Sequence, residues 1–175
     1  RDRHNTCNQN KIGIYLDGSD HINVNWNTVS SNTDSGNGKG IMLYDSASNE
    51  IYKNIVSEND IGIMLDEDSD SCDLNTITYN LFDTNTGYGL YVTAGCSGST
   101  IHHNDFIDNN EPDDDPEVQA YDYDTNSNTW DDEGDPTTVG NHWDEWSSPP
   151  SYYDLDGGDH TDAYPQADPV SGLYP

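Results

Sequence analysis

The sequence predicts an all-β protein: a right-handed parallel β-helix, a single-stranded solenoid, closed by an irregular acidic and aromatic C-terminal cap. Three observations predict it. A Gly-apolar-x-apolar segment recurs four times, paired asparagines keep register with it, and the chain is too poor in apolar residues for a wide core. Only 31% of its 175 residues are hydrophobic and just 2 are Phe. A thin core repeated along an axis suits such a composition, because each coil buries only a few side chains.

The four segments begin at Gly13, Gly40, Gly62 and Gly89. Each is followed by an Asn pair five positions apart: Asn27 and Asn32, Asn54 and Asn59, Asn80 and Asn85, Asn104 and Asn109. A fifth pair, Asn5 and Asn10, precedes Gly13, so the chain is expected to open inside a coil and to be N-terminally truncated. The first asparagines step by 22, 27, 26 and 24 residues, the differences being loop insertions such as residues 33–39. Such a period is the mark of a solenoid.

Apolar residues fall into four columns. One past each Gly stand Ile14, Ile41, Ile63 and Leu90; three past stand Leu16, Leu43, Leu65 and Val92. Three before the first Asn stand Val24, Ile51, Ile77 and Ile101; two after it stand Cys7, Val29, Val56, Phe82 and Phe106. The spacing of two within each segment is strand alternation. The asparagines are expected to form ladders, each amide bonding its equivalent one coil away, and to supply the left-handed backbone that sharp turns need.

Charge narrows the partners. There are 34 acidic and 5 basic residues, a formal net charge of -29. Such a surface repels nucleic acid and anionic membranes and attracts divalent cations; solubility in a saline habitat is the alternative reason for it. No apolar run is long enough to insert in a bilayer. Of the three cysteines, Cys7 falls in an inward column and reads as an inert thiol, whereas Cys72 and Cys96 occupy corresponding loops of successive coils. Those two are expected to form a disulfide, which implies an oxidising compartment; the alternative is three free thiols.

After residue 110 the pattern stops, dividing the chain into coils (1–110) and a tail (111–175). The tail holds Tyr121, Tyr123, Trp130, Trp143, Trp146, Tyr152, Tyr153, Tyr164 and Tyr174. Solenoid ends need covering, so capping is the expected role of these aromatics. The tail carries Asn128-Thr-Trp130, then Gly140-Asn-His-Trp143, an Asp/Gly-rich stretch from Asp154, and Asp162-Ala-Tyr-Pro165. This series resembles the C-terminal signature of NosD-like proteins, with His142 where that signature has Tyr. The coils resemble β-helix repeats grouped as carbohydrate-binding and sugar-hydrolase modules. The NosD resemblance implies the β-helix fold and periplasmic copper delivery to nitrous oxide reductase, although NosD-like repeats also occur in cell-surface proteins with no copper role.

Three chemistries have candidate residues. For calcium, Asp122, Asp124, Asn126 and Asn128 run to Glu133 in the spacing of an oxygen-ligand loop, without its glycine and flanking helices; Asp154, Asp156, Asp159 and Asp162 form a second candidate. For copper, Met42 and Met64 occupy the same outward position of adjacent coils, with His4, His21, His102 and His103 as further donors. For glycan, Trp26, Tyr52, Lys53, Tyr79 and His103 make an aromatic and polar ridge. No catalytic residue stands out: neither paired carboxylates nor a lyase base forms a cluster. The expectation is therefore a non-catalytic, calcium-stabilised scaffold or adhesive module, extracellular or on the cell surface. Its partners would be surface polysaccharide or copies of itself. A polysaccharide-degrading module and a periplasmic copper-handling factor are the alternatives.

Overall fold

A computed structural model of the chain describes residues 4–68, 71–110, 118–123, 127–131, 140–144, 153–155 and 161–172. Three parallel sheets run along one axis. The first contains β1 (Thr6–Asn8), β4 (Thr28–Ser30), β7 (Ile55–Ser57), β10 (Leu81–Asp83), β13 (Asp105–Ile107) and β15 (His142–Trp143), in that order. The second contains β2 (Ile12–Asp17), β5 (Lys39–Tyr44), β8 (Ile61–Asp66), β11 (Leu90–Val92) and β14 (Ala120–Asp122). The third contains β3 (Asn23–Asn25), β6 (Glu50–Tyr52), β9 (Thr76–Thr78) and β12 (Thr100–His102). A short antiparallel pair, β16 (Tyr153–Asp154) and β17 (Thr161–Asp162), follows. The described residues contain no helix, hence none long and apolar enough to cross a membrane.

The apolar columns are present in register. Cys7 pairs with Val29, then Val56, Phe82 and Phe106; Val24 pairs with Ile51, Ile77 and Ile101. All of these except Cys7 are buried in one continuous core. Each column gives one side chain per coil, so the core is a file of single layers.

The recurrent glycine is required by the closeness of the coils. A Cβ on Gly40 would lie 2.6 Å from the carbonyl oxygen of Gly62 and 2.8 Å from Asn59 Nδ2. The backbones meet face to face there, leaving no room for a side chain.

Both Asn ladders are present, with one change to their expected role. The left-handed turn residues are the ones just before the asparagines: Trp26, Lys53, Tyr79 and His103 at one corner, and Gln9, Ser31, Glu58, Thr84 and Asp108 at the next. None of the ladder asparagines has positive φ. The turn residue swings its side chain outward, and the following Asn turns inward to bond the turn backbone. Asn54 shows the pattern. Its Oδ1 accepts from the backbone N and Nδ2 of Asn27, and its Nδ2 donates to Asn80 Oδ1 and to the carbonyl of Val24. Buried polar groups are tolerable only when satisfied in this way.

The coil pattern also continues beyond residue 110. Ala120 and Asp122 follow Leu90 and Val92 in register, Thr129 bridges Thr100, and Trp143 follows Phe106. The tail thus supplies one further coil, interrupted by insertions, before it folds over the end.

Candidate functional site

Two regions of the chain concentrate chemistry: the first-corner column on the side of the solenoid, and its C-terminal end.

At the first corner, each turn residue stands above its predecessor. The ring centroids of His4 and Trp26 are 5.6 Å apart, and Lys53 Nζ lies 4.9 Å from the centre of the Trp26 ring. Tyr79 and His103 follow, 4.8 Å apart. Tyr52 precedes Lys53 on the outward face of the third sheet, in register with Asn25, Thr78 and His102. All five expected ridge residues are therefore brought together as one half-buried strip. Holding an L-residue in the left-handed region costs about 1–2 kcal/mol, and Asn or Gly meets that cost most easily. This corner instead uses Trp, Lys, Tyr and His. The second corner has the same backbone but carries Gln9, Ser31, Glu58, Thr84 and Asp108, none of them aromatic or basic. There, burial and then the nearby Asp108, Glu58 and Asp144 push the Asp83 carboxyl above its ordinary range.

The strip ends in an imidazole pair. His102 Nδ1 and His103 Nδ1 are 2.6 Å apart, close enough to share a proton. Two metal–nitrogen bonds of about 2.0–2.1 Å at a right angle would separate such nitrogens by roughly 2.9 Å. The pair is within a few tenths of an ångström of a chelating bite. Among the described residues, however, no group of three His, Cys, Asp or Glu is placed to hold a metal. Met42 and Met64 are register partners on the outward face of β5 and β8, between Tyr15 and Tyr91. Tyr91 stacks on Tyr121 at 4.6 Å and 6°. His4 lies on the strip, whereas His21 occupies a turn elsewhere.

The C-terminal end is built by residues expected as calcium ligands. Asp122 fills the inward column above Leu16, Leu43, Leu65 and Val92, fully buried. It accepts from Trp130 Nε1 at 2.9 Å and Asn128 Nδ2 at 3.1 Å. Asn128 ends a third ladder that was missed in the sequence, running Asn49, Asn75, Ser99, Asn128. A signal for it exists, since Asn49, Asn75 and Ser99 each stand five before a first asparagine. Asp162 is fully buried too, and ends the first ladder, which continues from Asn104 to Asn141. Its Oδ2 accepts from Asn141 N at 2.7 Å and Trp143 Nε1 at 3.0 Å. Burial pushes its carboxyl up to about 6. The second ladder ends at Gln119, whose Nε2 donates to Asp144 at 2.6 Å. The remaining calcium candidates, Asp124, Asn126, Glu133, Asp156, Asp159 and the Asp154 side chain, lie outside the described residues.

Aromatic rings seal the same end. Phe82, Phe106, Trp143 and Tyr153 form a staircase at 4.6, 4.2 and 3.9 Å. Asp105 fixes the last segment over it by accepting from the backbone N of Val170 and Ser171. Beside Asp105, burial lowers the His142 imidazole below its ordinary value.

The tail motif therefore has a physical reading. Its two tryptophans finish two apolar columns, and its aspartates accept their indole N–H groups. The family model described as periplasmic copper-binding protein (NosD) matches residues 2–148. No curated protein and no solved structure matches the chain. The match covers every coil and much of the tail: the chain belongs to the NosD family of parallel β-helix proteins.

Proposed function

We propose that this chain is a non-catalytic β-helical scaffold working outside the cytoplasm, at the cell surface or in the periplasm, which binds a neutral surface polysaccharide along its first-corner column. The observation that carries this reading is the unbroken strip of Trp26, Lys53, Tyr79 and His103 held in left-handed turns. Sugar rings stack on aromatic faces, and flanking polar groups orient their hydroxyls. A strip that repeats once per coil matches an extended, repetitive ligand. The net charge of -29 favours an uncharged polymer over an anionic one. The acidic second corner reinforces that preference.

The test is a titration with neutral oligosaccharides of increasing length, read by tryptophan fluorescence. Affinity should rise with length and fall at least tenfold in both Trp26→Ala and Tyr79→Ala, with little change in melting temperature. Absence of saturable binding, or binding by both variants as tight as by the unsubstituted chain, would overturn the reading. New reducing ends during incubation would show an enzyme instead.

Copper handling is the second reading, favoured by the His102–His103 pair and by the family's description. Two imidazoles suit Cu(II), and the Met42–Met64 pair suits Cu(I). Copper titration should then show a site lost in His102→Ala or in Met42→Ala. Calcium stays a proposal for the acidic tail: added calcium should raise the melting temperature and chelator reverse it. Self-association, where it occurs, is proposed to be lateral. The last amides of the three ladders, Asn141, Gln119 and Asn128, donate to Asp162, Asp144 and Asp122, so these donors are engaged within the chain and not offered to another copy.

A further inference from the structure

We propose that Cys72 and Cys96 form a disulfide staple between consecutive coils, closed while the chain folds and sealed inside the core afterwards. The inference is independent of which ligand the first corner takes.

The two residues are equivalent in the solenoid. Cys72 stands three before Asn75 in the third ladder, and Cys96 three before Ser99. The Cys72 carbonyl accepts from Asn75 Nδ2 at 2.8 Å, and the Cys96 carbonyl accepts from Asn128 Nδ2 at 3.0 Å. The first bond lies within one coil and the second crosses to the next, as Asn75 Nδ2 also does to the carbonyl of Ser46, the residue three before Asn49. Ladder amides thus hold both cysteines at the same place in successive coils. The backbone between them is in step: Leu74 N donates to Ser97 O at 2.9 Å, and Ser97 N donates to Asp73 Oδ1 at 2.7 Å. Parallel neighbours lie about 4.7–4.9 Å apart, inside the roughly 4.4–6.8 Å Cα window of a disulfide. Both side chains are thiols here, both fully buried in the core. The Cys72 thiol lies against Cys96 and, with burial, pushes the Cys96 thiol far above its ordinary range.

Burial decides when the bond forms. Only a thiolate attacks a disulfide, and a sealed thiol is neither ionised nor reachable. Closure therefore belongs to the folding chain. One cysteine thiolate attacks an external disulfide such as oxidised glutathione, forming a mixed disulfide and releasing one thiol. The second thiolate attacks the mixed disulfide at the protein sulfur and releases the other thiol. The two protein thiols lose two protons and two electrons, and the external disulfide is reduced to two thiols. Cys7, only partly covered, pairs in register with Val29 and not with a cysteine.

The test is refolding of the full chain in a glutathione redox buffer, followed by thiol counting in denaturant and intact mass. Oxidative refolding should leave one reactive thiol, lost in Cys7→Ala, with a mass two hydrogens lighter than after refolding under reductant. Once folded, the bond should resist a mild reductant that opens it rapidly in denaturant. Three thiols after oxidative refolding would overturn the proposal, as would a bond that involves Cys7. Should Cys72→Ala or Cys96→Ala fold poorly, Cys7→Ala still decides, because it must retain the bond.

Discussion

In the coils, the position after each first-corner turn is an amide that the next coil's amide receives; at the tail end, the last of these amides, Asn141, is received by the carboxylate of Asp162, while Pro165 takes the register position. Asn54 and Asn80 each accept from the coil before and donate to the coil after. Asp162 accepts from Asn141 in the same manner but has no N–H to pass on. The third ladder likewise hands its last amide to a carboxylate: Asn128 Nδ2 donates to Asp122, which stands beside it in an apolar column. An amide propagates a ladder because it is donor and acceptor at once, whereas a carboxylate terminates it. The apolar columns change in parallel: aliphatic side chains fill the coils and tryptophans close the end. Each closing indole needs an acceptor for its N–H, and the terminating carboxylate is that acceptor. The tail is thus a coil rewritten in groups that stop.

The comparison is broken most severely at the closing ring. Trp143→Ala empties the space between Phe106 and Tyr153 and leaves Asp162 without its indole donor. A buried Trp truncated to Ala costs about 3–5 kcal/mol. The midpoint of urea unfolding should fall accordingly, and the tail should become protease-sensitive before the coils. Equal protease resistance of tail and coils would refute the closing role.

Breaking a propagating amide should cost somewhat less. Asn80→Ala removes the acceptor used by Asn54 N and Nδ2 and the donor to Asn104 Oδ1 and the Ile51 carbonyl. Each buried group left unmet costs about 1–3 kcal/mol, giving roughly 2–4 kcal/mol after partial repair by water. Hydrogen exchange should quicken at Asn54 and Asn104 on either side, since the ladder is shared. A change confined to residue 80 would show that the ladder's bonds are independent.

What the sequence revealed was whatever repeats. Four apolar columns and two Asn ladders were legible because five or so coils print them at one spacing. The third ladder was missed because Ser99 interrupts its asparagines and its last member lies beyond an insertion. The tail's extra coil was missed for the same reason: residues 111–117 separate β13 from β14, and residues 132–139 separate Trp130 from β15. Asp122 and Asn128 read as hard-cation ligands because alternating Asx residues suit a calcium loop and a strand equally. Only register shows that Asp122 continues a core column. The ridge was legible as residue types, but the left-handed backbone that projects it was assigned one residue too late, to the asparagines.

The finest test concerns the charge of the terminator itself. Asp162→Asn keeps one oxygen for Asn141 and Trp143 but turns an N–H group toward the backbone N–H of Tyr164, which now donates to Oδ1. The loss should be about 1 kcal/mol near pH 5. At pH 7 it should be smaller, and the sign follows from the direction of the shift. Burial raises the Asp162 carboxyl to about 6, above its value in the unfolded chain. The folded state therefore holds the proton more tightly, and this contribution to stability is complete below the unfolded value and is lost as pH rises through about 6. The neighbouring His142 imidazole, lowered by burial, works in the opposite direction, but it is present in both proteins and cancels in their difference. Wild-type melting temperature minus that of Asp162→Asn should thus increase from pH 7 to pH 5. A flat difference would mean that Asp162 is as solvated as an exposed carboxylate, and the terminating group would then be an open end instead of a sealed one.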